Sequence, residues 1–163
     1  MPLWLLLVLI ASFLFGFVVF FGPPYVPTLT KQAEVALDML NLQPGQLLLE
    51  LGAGDGKVVR LAAARGLHVV GIELNPLLVL VARIRCWKYR RQVKIKWGSY
   101  WRVAWPANAD GIFTFMLQRQ MSELDQRITA WHTHPIRLAS FAFHVPGKTP
   151  AQTRAGVFLY GYK

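Results

Sequence analysis

The first chemistry legible in the chain sits in Leu48-Leu49-Glu50-Leu51-Gly52-Ala53-Gly54-Asp55-Gly56, an apolar run ending in a G-x-G-x-G spacing with carboxylates at Glu50 and Asp55. Glycines let a backbone turn tightly and approach a ligand with no side chain in between. The spacing differs from the dinucleotide fingerprint G-x-G-x-x-G. It is not a phosphate loop either, because Gly56-Lys57 is followed by Val58 where Ser or Thr is required. Seventeen residues after Gly56, Glu73 ends the next apolar run. A carboxylate there can accept hydrogen bonds from both ribose hydroxyls of an adenosine ligand.

A glycine loop paired with such an acid fits NAD or an adenosine compound lacking pyrophosphate, and Glu50 bears on the choice. Its charge would repel a pyrophosphate but help to hold a cation. S-adenosylmethionine carries a sulfonium and an ammonium, so charge complementarity favours the methyl donor.

The elements that must position these groups follow from periodicity. Leu29, Ala33, Ala36, Leu37 and Leu40 recur at helical spacing, with Thr30 as the expected N-cap and Asn41 and Pro44-Gly45 closing the helix. Strands are predicted over 46–51, 68–73, 92–97, 110–117, 137–144 and 157–162, and helices over 56–64, 76–89 and 118–131. Residues 92–97 (QVKIKW) alternate as an outer strand with one solvated face would. Strand–helix alternation with continuous apolar strands predicts an α/β, Rossmann-like fold with a mostly parallel sheet and helices on both faces. The tail after the fifth strand is expected to supply one strand only, so that the C-terminal strands are shortened.

The chain has 163 residues, enough for one domain plus an appendage. Residues 3–21 contain no charge, and such a helix approaches the roughly 30 Å hydrocarbon core of a bilayer. Gly22-Pro23-Pro24-Tyr25 follows, which stops a helix and offers no signal-peptide cleavage site. The expected division is therefore a transmembrane anchor (1–22), a linker with a lid and helix (23–44), and a catalytic domain (45–163). All 18 basic residues follow the span, which places the domain on the cytoplasmic side by the positive-inside rule.

The net charge of +10 resides in the domain, and Arg83, Arg85, Lys88, Arg90, Arg91, Lys94 and Lys96 crowd one stretch. Beside an anchor, that cluster is expected to face anionic lipid headgroups, with no nucleic-acid partner. The lone Cys86 excludes an internal disulfide, fits a reducing compartment and reads as packing. No Cys/His spacing resembles a metal site.

LELGAGDGK resembles motif I of class I methyltransferases. More narrowly, PPYVPT, LELGAGDGKVV, GIELNPLLV and FAFHVP occur in the order seen in the seven-β-strand protein lysine methyltransferases. That group includes the mitochondrial enzymes acting on the adenine nucleotide translocase and on the c-ring protein of ATP synthase. The resemblance runs from Pro23 to Gly147 and implies a membrane-protein substrate. It also implies that Gly52, Gly54 and Gly56 surround the methionine and ribose parts of the donor, with Glu50 and Asp55 near its amino-acid moiety. Glu73 would hold the ribose, Leu74 and Asn75 would line the adenine side, and Tyr25 and Thr28 would fold over the donor as a lid. Phe143 and His144 would border the acceptor channel. There are two departures from the family pattern. Ser99 stands where an acid often contacts the adenine amino group, and Ala142 and His144 replace the arginine and proline of the family's FPFP segment.

A lysine acceptor must lose its proton before it can attack, and low-dielectric walls favour the neutral amine. Tyr25, Tyr100, Trp101 and Phe143 could supply them, while His144 is a candidate base on the substrate side. The expected activity is protein lysine N-methylation at a membrane. The alternatives are a class I methyltransferase for a lipid or small molecule, and a non-catalytic, membrane-tethered donor-binding module.

Overall fold

The computed structural model describes residues 2–21 and 28–163. Its first element is α1 (Leu3–Phe21), 19 residues long and uncharged throughout. Side chains are described in α1 only at positions 3–10, 12 and 16, and among these Leu3, Trp4, Leu6, Leu7, Val8, Leu9 and Ile10 are exposed. Among the described residues no helix is long and apolar enough to cross a membrane. Tyr25 and most of the expected lid lie outside the described residues.

The remaining elements are α2 (Thr30–Leu40), β1 (Leu47–Leu51), α3 (Lys57–Ala64), β2 (His68–Glu73), α4 (Pro76–Arg85), β3 (Val93–Trp97), β4 (Gly111–Thr114), α5 (Met121–Trp131), β5 (Ile136–Phe141), β6 (Gln152–Arg154) and β7 (Val157–Tyr162). They build one seven-stranded sheet in the order β3-β2-β1-β4-β5-β7-β6. β1 to β5 pair in parallel, whereas β7 runs antiparallel to both β5 and β6.

Side-chain alternation divides the core into two layers. Leu48, Val69, Phe113, Ala139 and Leu159 point to the face covered by α2, α3 and α4. Their neighbours Leu49, Val70, Ile112, Leu138 and Tyr160 point to the face covered by α5 and the 100–109 loop, with Trp105 in the packing. Strands covered on both sides have no solvated position, which is why they read as continuous apolar runs. β3 is an edge strand, and its polar alternation has that cause.

Several boundaries differ from the sequence expectation for local reasons. Thr30 is not an N-cap: Leu29 holds that position without a side-chain hydrogen bond, and α2 starts at Thr30. α4 ends at Arg85 and passes into a separate 3-10 turn at Trp87–Tyr89. β5 stops at Phe141 because Ala142 adopts φ 67°, a left-handed conformation that turns the chain out of the sheet.

The tail supplies two strands where one was expected. Ala155 and Gly156, at φ 51° and 77°, form a two-residue turn with both central residues left-handed, the geometry that suits tight hairpins. The hairpin is tied down where the Tyr162 hydroxyl donates to Asp125 at 2.6 Å and Lys148 pairs with the same carboxylate at 2.6 Å.

Candidate active site

The glycine loop lies between the carboxyl end of β1 and the start of α3, where open α/β sheets bind ligands. Gly52, Gly54 and Gly56 all have positive φ (88°, 55° and 79°). Two of these glycines are needed for different reasons. A Cβ on Gly52 would meet nothing within 4 Å, so that position opens onto free space. A Cβ on Gly56 would stand 3.0 Å from Ala82 Cβ and 3.1 Å from Cys86 Sγ, so the glycine lets α3 start hard against α4. Cys86 is buried, and burial, seconded by the nearby Glu50 carboxylate, pushes its thiol up to about 11. A thiol so placed packs and does not react.

Glu73 closes the loop from below. Its carboxylate accepts a hydrogen bond from the Gly54 amide at 2.8 Å and another from the Asn75 amide at 2.8 Å. Each oxygen keeps a second lone pair, which two ribose hydroxyls could use. The Asn75 side chain is committed to capping α4, accepting from the Leu77 amide at 2.9 Å. Leu74 contributes its carbonyl to Trp97 Nε1 at 3.0 Å.

Glu50 is the anomalous group. It is 3% exposed, and its Oε2 has no hydrogen-bond partner among the described residues. Burial first, then the carboxylates of Glu73 and Asp55, push its carboxyl well above the usual carboxylate range, with the Val59 amide pulling the other way. An orphaned buried carboxyl beside an open glycine cradle calls for an external partner, and a cation suits it.

Asp55 accepts from the Lys57 amide at 3.2 Å and pairs with Arg85. Arg85 is thus turned to the glycine loop, and Arg83 donates to the Ile95 carbonyl at 3.0 Å. Lys96 donates to the Ala104 carbonyl at 2.9 Å, so three members of the basic cluster serve the fold. Thr28, the one described residue of the two expected to form a lid, accepts from Lys57 Nζ through its carbonyl at 2.9 Å. Ser99 uses its Oγ to accept from the Trp101 amide at 3.3 Å, capping a turn.

Tyr100, Phe143 and His144 follow the carboxyl ends of β3 and β5, the same edge of the sheet as the glycine loop. The Tyr100 hydroxyl, raised by burial, donates to Gln120 at 3.3 Å. Phe143 stacks on Phe115 with ring centres 6.2 Å apart. The exposed His144 ring lies 3.7 Å from Phe158, and its backbone exchanges two hydrogen bonds with the Gln118 amide group, at 2.9 and 3.2 Å. Gln118 and Gln120 share one 3-10 turn after β4 and so brace the His144 backbone and the Tyr100 hydroxyl.

Sequence reasoning missed both glutamines, because polar residues in turns give no periodic signal. It placed Arg85 in the lipid-facing cluster and gave Lys57 no partner, because only the fold brings them to Asp55 and Thr28. A separate cavity of about 500 Å³ opens near the amino ends of the strands, lined by His68, Arg91 and Asp110 among others. It holds none of the groups above.

A family model described as the ANTKMT methyltransferase domain matches residues 50–152. The chain belongs to this methyltransferase family. It is 32% identical over 129 residues to the ATP synthase c-subunit lysine N-methyltransferase of Homo sapiens, covering 78% of this chain and 54% of that protein. It is 29% identical to the adenine nucleotide translocase lysine N-methyltransferase of Mus musculus, covering 78% and 56%. The chain thus spans about half the length of the curated relatives it matches. Among solved structures, an RNA methyltransferase from Salinibacter ruber in complex with S-adenosyl-L-homocysteine superposes with a TM-score of 0.76 at 23% identity, covering 84% of this chain and 92% of that one. That likeness supports the Rossmann-like methyltransferase fold alone.

Proposed function

We propose that this protein is an S-adenosylmethionine-dependent protein lysine N-methyltransferase, held by α1 in a membrane with its domain on the cytoplasmic side. Residues 1–22 serve as anchor, 23–44 as linker, lid and helix, and 45–163 as the catalytic domain. The single observation that carries the donor assignment is Glu50 Oε2, buried and without a partner beside the open face of Gly52. The donor's ammonium would satisfy it, directly or through water.

When bound, the donor supplies a methyl group already activated by its sulfonium. The chain's own residues hold and orient it. Glu73 presents acceptors to the ribose, Gly52 gives close backbone approach, Thr28 stands at the lid's end, and Leu74 with Ser99 edges the adenine side. Tyr25 would complete the lid. Tyr100, Trp101 and Phe143 would wall the acceptor channel and favour an uncharged amine, because a low-dielectric wall penalises the ammonium form. Alignment of nucleophile and methyl in a dry cleft supplies the acceleration.

The names of the relatives support a lysine in a membrane protein as acceptor. The uncharged sequence run of residues 3–21, with Leu3, Trp4 and Leu6–Ile10 exposed, supports the anchor. Lys88, Arg90, Arg91 and Lys94 have no carboxylate partner among the described residues and would meet anionic headgroups.

Membranes carrying the full chain, incubated with radiolabelled donor, test the reading. Label is expected in a membrane protein and recovered as methyllysine, and lost with Glu73→Ala. Label in the lipid fraction would replace the acceptor class. Absence of donor affinity by calorimetry would leave only a tethered module.

A further inference from the structure

We infer that the outer face of α4 is a second membrane contact, an in-plane docking surface for an anionic bilayer. The inference rests on the membrane residence proposed above and deepens it. α4 buries Val79 and Ala82 against the domain. Its opposite face carries Leu77, Leu80, Val81 and Ile84, each exposed, and continues into exposed Trp87. At 100° per residue the four α4 positions fall within an arc of about 100°, the width of a packing face. On a helix already seated on its sheet, that face has no protein partner among the described residues. The exposed fractions are large, 56% at Leu80, 65% at Ile84 and 66% at Trp87. A contiguous exposed apolar strip of this kind marks an interaction surface.

Charge decides the occupant. Lys88, Arg90 and Arg91 follow at the carboxyl end of the strip, exposed and without carboxylate partners among the described residues. The Arg90 guanidinium lies over the Trp87 ring at 5.2 Å. Apolar side chains at acyl depth, tryptophan at the headgroup level and basic residues beside it are the arrangement of an interfacial helix. An acidic protein groove would match the cations but leave the aliphatic strip uncovered. The amino end of α4 starts three residues after Glu73, so seating this face on the lipid holds the donor cleft beside the bilayer surface. A lysine at the headgroup level of a membrane protein then needs no deep excursion to reach it.

The test uses the full chain with Cys86→Ala and single spin-labelled cysteines at Ile84, at Leu7 in α1, and at Thr129 on the exposed side of α5. Vesicles of phosphatidylcholine, with and without phosphatidylglycerol, are added. Accessibility to oxygen and to a water-soluble relaxant reports depth. The Ile84 label should become several-fold less accessible to the aqueous relaxant with anionic vesicles, the Thr129 label should not, and Lys88→Glu with Arg90→Glu should abolish the change. An Ile84 label that stays in water while the Leu7 label enters hydrocarbon overturns the docking face and keeps the anchor. Leu7 in water with Ile84 at the interface overturns the anchor and keeps the docking face. Both labels in water overturn both. An Ile84 label already shielded before lipid is added assigns the strip to a protein partner and likewise overturns the inference.

Discussion

Glu50 and Glu73 show how one residue type takes opposite states on neighbouring strands. Glu73 is satisfied by two backbone amides, whereas one oxygen of Glu50 is left without a donor. Because burial raises Glu50, the folded chain binds its proton more tightly than the unfolded chain does. The stability linked to that proton is full below the ordinary carboxylate value and is lost as pH rises through the raised folded value. Without donor, the melting temperature should therefore fall from mildly acid to neutral pH. Glu50→Gln should flatten that slope and stabilise the neutral-pH protein by about 1 kcal/mol or more, while weakening donor binding. Melts across pH check this, and an unchanged slope in the variant would mean that another group titrates. Donor binding should restore the charge and release a proton, read as a dependence of calorimetric heat on buffer. Glu73→Ala should lower donor affinity by about tenfold or more, the worth of hydrogen bonds to a charged group. Both acids were legible in the sequence, since they stand at strand ends beside glycines. Their different states were not, because the burial and the amides come from the loop's folded path.

At the scale of elements, the glycine loop was readable because its conformation demands a residue type. Its support was less so. Gly71 in β2 faces Ala53, and an added Cβ would lie 2.8 Å from Ala53 Cβ and 3.2 Å from Val59 Cγ2. Gly71→Ala should cost about 1–3 kcal/mol by overpacking and should weaken donor binding, because Ala53 belongs to the loop. Gly161→Ala in β7, where an added Cβ meets nothing within 4 Å, is the control and should change neither. Thermal melts with calorimetry distinguish the pair. β6 escaped notice because its three residues are exposed and its turn is Ala-Gly rather than the usual Asn-Gly. The division of residues 118–131 into a 3-10 turn and α5 was equally hidden, and with it the brace supplied by Gln118 and Gln120.

For the whole molecule, the α/β order was legible because each two-sided strand leaves an unbroken apolar run between helical patterns. The seating of Arg85 on Asp55 was not, since the pair spans 30 positions and only the fold brings it together. Composition pointed to a membrane, and α1 offers a direct check. Ile10→Arg with Ser12→Arg should add about 2.5–3.5 kcal/mol per charge near the helix centre. Fractionation with a high-salt wash, which weakens the contact of the basic residues beside α4, should then find the chain outside the membrane pellet, with donor affinity unchanged in calorimetry.

The hydrogen bond from Lys57 to the Thr28 carbonyl fixes where the tether reaches the domain. Seven peptide steps separate Phe21 from Thr28, and an extended chain gains at most about 3.5 Å at each, a leash of about 25 Å. With α1 in a bilayer, as proposed, Thr28 and the glycine loop that Lys57 joins to it could stand no further from the anchor's end than that length allows. On that proposal, selection among acceptors would begin with altitude above the bilayer, before any side chain is recognised.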